Sequence, residues 1–144
     1  MNLDPTTTQT LGASLRPINP SWMKAEQDED GTHQRLWYQG REPYFDVIIE
    51  KTGDTITWFQ ITLRGRIVSW HKTRSHLLTG ETEELDVPPE VAYYAATKGV
   101  RDSASVNWSL VKTFQAILAA QAEDPTLSQL AALLADQISA HQAQ

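Results

Sequence analysis

Residues 44–71 constrain the fold more tightly than any other part of the chain. They hold three runs in which apolar and polar side chains alternate with a period of two, the pattern of strands. In the first run, 44–51, Phe45, Val47 and Ile49 alternate with Tyr44, Asp46, Ile48 and Glu50. The second, 55–63, reads T-I-T-W-F-Q-I-T-L and is dense in β-branched and aromatic residues. Thr57, Phe59, Ile61 and Leu63 share one side of it, and Ile56, Trp58, Gln60 and Thr62 the other. In the third, 67–71, Ile67, Ser69 and His71 lie opposite Val68 and Trp70. The connections, 52–54 and 64–66, are short, and each contains a glycine able to take positive φ. Parallel strands need a crossover of a dozen or more residues, so these strands run antiparallel as a meander.

A further strand fits 33–38, ahead of Gln39-Gly40, which makes a sheet of about four strands over residues 33–71. A short strand around Leu77 and Leu78 would extend it to residue 78. The last third reads as helical. Pro88 and Pro89 suit the start of a helix over about 88–98, with Gly99 behind it. A second, about 104–122, is capped near Ser103 and sets Val106, Leu110, Phe114, Ile117, Leu118 and Gln121 on one face. Asp124-Pro125 ends it. Thr126 and Gln129 form a capping box for a third, about 127–140, with Leu127, Leu130, Leu134 and Ile138 inward.

Residues 1–31 read as a lead-in with one short helix, opened by Pro20, capped by Asn19 and ending at Gln27. Strands followed by helices define an α+β protein. The expected organisation is the lead-in and then a single α+β domain, 32–144. Its helices are expected to pack on the sheet face of Phe45, Val47, Ile49, Phe59 and Ile61, with the opposite face at most partly covered.

Composition narrows the function. The chain has 144 residues, no cysteine and a net charge of −6. Disulfides and thiolate metal sites are excluded. The acidic balance argues against general nucleic-acid binding, which needs basic surface. No apolar run is long enough to span a bilayer, and residues 1–10 lack the base and apolar stretch of a secretory signal. A cytoplasmic location is expected.

Catalytic motifs are missing. No glycine-rich phosphate loop, HExxH or GxSxG is present. His71 and His76 are the closest histidines, but Lys72 and Arg74 lie between them and oppose a cation. Ser69, His71 and Asp46 supply the letters of a triad without a turn to present the serine. Neither catalytic residues, nor a metal, nor a cofactor are assigned. Glu81, Glu83, Glu84 and Asp86 form an acidic, solvated stretch. Arg64, Arg66, Lys72 and Arg74 form a basic one, joined by Trp70. Arginines beside an aromatic suit phosphate, RNA or an acidic protein surface; the bland reading is a charged sheet edge that resists pairing. Neutralisation by the acidic stretch is a third possibility. Of five tryptophans, Trp58 and Trp70 are the candidates for a partner surface, since Trp58 opposes the Phe59 face and Trp70 adjoins the basic stretch.

Three runs, WYQGREPYFDVIIE at 37–50, ITWFQITLRGRIVSWHKTR at 56–74 and VPPEVAYYAATKG at 87–99, resemble the cyanobacterial EbsA family. The resemblance covers about the central half of the chain. It implies a small cytoplasmic protein of type IV pilus biogenesis and biofilm self-suppression, partnered by the pilus assembly ATPase and an Hfq-like protein. It brings no catalytic residues. The expected function is therefore a non-enzymatic adaptor in pilus assembly, binding through Trp58, Arg64, Arg66, Trp70, Lys72 and Arg74. The alternative is a nucleic-acid-associated regulator using the basic stretch at 64–74. A ligand pocket near Tyr93, Tyr94 and Trp108 is a third reading.

Overall fold

Asp4 starts the first element. Its carboxylate accepts the Thr7 amide at 2.6 Å, and Pro5 takes the first helical position, where no N–H is missed. The computed structural model describes residues 3–18, 25–28, 31–73, 77–81 and 106–143. In it α1 runs Pro5–Ser14, a helix that the sequence reading did not anticipate. Of the helix expected from Pro20 to Gln27, Asn19, Pro20, Trp22 and Met23 lie outside the described residues, and its last three residues belong to a strand, Ala25–Asp28. A short isolated helix is marginal in water, and pairing along a neighbouring strand satisfies the same backbone groups.

The described residues form two compact units, Met1–Leu15 with Asn107–Gln144, and Arg16–Val106. The sequence reading placed 32–144 in one domain; α1 instead belongs with the C-terminal helices. In this helical unit, α2 (Trp108–Ala119) is capped by Asn107, whose side chain accepts the Leu110 amide at 3.1 Å. The third helix, α3 (Pro125–Gln142), is capped by Asp124 and not by Thr126: Asp124 Oδ1 accepts the amides of Thr126 and Leu127 at 2.9 and 3.0 Å. Ser103 and the helix expected at 88–98 lie outside the described residues.

Leu110, Val111, Phe114, Ile117 and Leu118 of α2 are buried, as are Leu127, Leu130 and Leu134 of α3. Ile138, expected inward, is half-buried. Leu11 and Leu15 add the apolar contribution of the N-terminal segment. Gly12 allows close approach: a Cβ there would lie 2.8 Å from the Ala120 Cβ and nearer still to the Ile117 carbonyl oxygen. Gln121, itself buried, donates from Nε2 to the Leu15 carbonyl at 3.1 Å. At the far end Trp108 stacks on His141, with ring centroids 4.2 Å apart.

The other unit is a sheet, antiparallel at every pairing. Its strands are β1 (Arg16–Pro17), β2 (Ala25–Asp28), β3 (Gly31–Gln39), β4 (Asp46–Thr52), β5 (Thr55–Leu63), β6 (Arg66–His71) and β7 (Leu78–Glu81). The order is β1-β3-β4-β5-β6-β7, with β2 also on the outer side of β3. The expected meander is its centre; β1 and β2 are additions. Both inner hairpins turn tightly. Thr52 pairs with Thr55 around Gly53-Asp54, and Leu63 with Arg66 around Arg64-Gly65.

Register sorts the side chains by face. Leu36, Ile49, Phe59 and Trp70 make one row, and Tyr38, Val47, Ile61, Val68 and Thr79 the next. Apart from Trp70, which is half-buried, these rows are buried. On the opposite face run Arg35, Glu50, Trp58 and His71, then Trp37, Ile48, Gln60, Ser69 and Leu78, then Gln39, Asp46, Thr62, Ile67 and Gly80. This face is more deeply covered than its polarity suggested, with Asp46, Ile48, Gln60 and Ile67 buried. Ile56 changes sides relative to the sequence reading. A bulge between Glu50 and Lys51 sets it across from Lys51, one extra residue having been taken up at Thr57.

Candidate functional site

The strands carry the candidate residues to different places. Trp58 is half-buried between Glu50 and His71 on the polar face, and Arg35 closes that row with a 3.7 Å ion pair to Glu50. Trp70 is on the other face: it pairs with Phe59 and stacks on its ring, centroids 6.0 Å apart and planes 23° from parallel. The two tryptophans therefore do not share a surface. Alternation decides this, since an odd number of pleats separates their rows.

The basic stretch is likewise divided. Arg64 and Arg66 flank the β5–β6 turn, whereas Lys72 follows the far end of β6. Six residues of extended chain separate Arg66 from Lys72, about 20 Å. Arg64 forms a bidentate pair with Glu42, Nε to Oε1 and Nη2 to Oε2, both 2.9 Å. Arg66 Nη1 meets Glu81 Oε1 at 2.7 Å, so one acid of the following stretch neutralises one base, the third possibility raised above. Lys72 is exposed. Arg74, Glu83, Glu84 and Asp86 lie outside the described residues, as do Tyr93 and Tyr94.

The loop between β3 and β4 was not singled out by sequence. The chain enters at Gly40, whose missing side chain leaves room for the Phe45 ring: a Cβ would stand 2.8 Å from Phe45 Cγ. Gly40 N–H donates to the Phe45 carbonyl at 2.8 Å, and Phe45 N–H to that of Glu42 at 3.3 Å. Phe45 is fully buried, and Tyr44 beside it turns outward, 37% exposed. Tyr44 is not part of a strand as expected; its φ is +60°. Arg64 has φ +51°, next to Gly65 at +77°. Two positive φ values suit the right-handed twist of the hairpin, a turn that favours Asn-Gly. An arginine there costs about 1–2 kcal/mol of backbone strain. Its ion pair, with side chains 45% and 32% exposed, returns roughly 0.2–1 kcal/mol, so Arg64 is not explained by stability.

Asp46 stands behind this loop. It is buried, and its Oδ1 accepts Trp37 Nε1–H at 3.1 Å. Burial pushes its pKa up, while hydrogen bonds from Trp37 and Gln39 oppose the rise. On β6, His71 Nδ1 accepts the Thr73 amide at 3.1 Å and lies 2.7 Å from its hydroxyl. Asp46 and His71 thus face other partners, and Ser69, Asp46 and His71 do not assemble a nucleophile and base. Among the described residues no three His, Asp or Glu side chains converge as metal ligands, and no helix is long and apolar enough to cross a membrane.

Arg16, Arg41 and Tyr44 are the surface residues that sequence reasoning passed over. Gly40 and Pro43 bracketing Arg41 and Glu42 were the available signal for a loop there. Fold and surface together define an α+β protein with a twisted antiparallel sheet, aromatic on both faces and rich in arginine at one end. Set against protein-family models, curated proteins and solved structures, the chain matches none.

Proposed function

We propose that the protein is a non-enzymatic adaptor in type IV pilus assembly, holding the pilus assembly ATPase and an Hfq-like protein in the cytoplasm. In this role it serves pilus formation and suppresses biofilm development. The pilus context comes from the resemblance of 37–50, 56–74 and 87–99 to the EbsA family. The binding role is supported by one structural observation. Trp58 is half-buried in a polar row, Arg35, Glu50 and His71, on a strand held at both edges. A tryptophan in one row with an arginine supplies the two residue types most enriched among interface anchors. The ion pairs of Arg64 and Arg66, and the distance to Lys72, count against a continuous phosphate-binding strip and so against the nucleic-acid reading.

A tagged full-length chain is expected to recover the assembly ATPase from the cytosol of piliated cells. Recovery of no pilus component would refute the pilus assignment. Gel-shift titration with RNA and DNA at low salt tests the alternative; a shift that fades steeply with salt would favour it.

A further inference from the structure

We draw no further inference here: the strongest candidate, the Gln60 amide buried on the polar face of β5 with neither its nitrogen nor its oxygen hydrogen-bonded, carries nothing, because nothing in the structure shows what covers it.

Discussion

Gly12→Ala should destabilise the protein, although alanine is the better helix former. Position 12 lies inside α1, where replacing glycine by alanine gains about 0.5–1 kcal/mol from backbone entropy. Against this stands the space. The new Cβ would meet the Ala120 Cβ at 2.8 Å and press harder on the Ile117 carbonyl. Carbon contacts settle at about 3.5–4.0 Å, so α1 must withdraw by roughly 1 Å. Leu11 and Leu15 are 5% and 1% exposed, and burying each is worth about 1.5–3 kcal/mol. A gap of that size forfeits a quarter to a half of close contact, about 1–3 kcal/mol for the pair. The Gln121–Leu15 bond, 3.1 Å, would be stretched beyond useful length, losing about 1 kcal/mol more. The net expectation is a loss of about 1–3 kcal/mol, within the range for overpacked sites. Urea denaturation followed by far-UV circular dichroism measures it. Ala13→Gly, at the exposed neighbour, should cost only the propensity difference, about 0.5–1 kcal/mol. Chemically opposite changes at adjacent positions should thus both destabilise. A Gly12→Ala protein more stable than the original would show that α1 does not rest against α2 as described.

Three further outcomes follow from the same geometry. The Gln60 amide is buried with neither its nitrogen nor its oxygen hydrogen-bonded, so Gln60→Met should raise stability by about 1–3 kcal/mol in denaturant titration; a loss would mean the amide has a partner. Asp124→Ala should cost about 1 kcal/mol by removal of the α3 cap, and Thr126→Ala much less; equal costs would restore Thr126 as the cap. Asp46 tests the buried charge. Its folded-state pKa is raised by burial, so the folded protein holds the proton more tightly than the unfolded chain. The carboxyl's contribution is fully favourable below the unfolded value and is lost as pH rises through the folded value. Asp46→Asn keeps an oxygen for Trp37 and never ionises. Its stability relative to the original should be higher at neutral pH, and the difference should shrink toward about pH 4 and below. A difference independent of pH would show that Asp46 is not desolvated.

The inner strands were legible because each satisfies two rules at once. Residues 55–63 are β-branched and aromatic, and the flanking glycines permit tight turns. The α1 helix was not legible from periodicity, since P-T-T-T-Q-T-L-G-A-S has too few apolar residues to show a face. Its start was nonetheless written in the chain. Asp4-Pro5-Thr6 and Asp124-Pro125-Thr126 are the same three residues, and in both the aspartate caps a helix whose first residue is the proline. Reading the second as a helix end concealed both. β1 and β2 could not be read locally at all. Their hydrogen-bond partners belong to β3, and a two- or four-residue strand has no periodicity of its own.

By itself the sequence determined the α+β class, the antiparallel meander at 44–71 and the apolar faces of the last two helices. Each is set by side-chain period and turn chemistry among near neighbours. Only the tertiary structure decided which charges meet. The Arg64–Glu42 pair joins residues far apart in the chain, and strand alternation sends Trp58 and Trp70 to opposite faces although both adjoin the same hairpin. Pairing register, and not proximity along the chain, fixes what stands beside what on a sheet. For that reason a basic run in the sequence became two separate ends in the fold, one of them carrying the arginines and Tyr44.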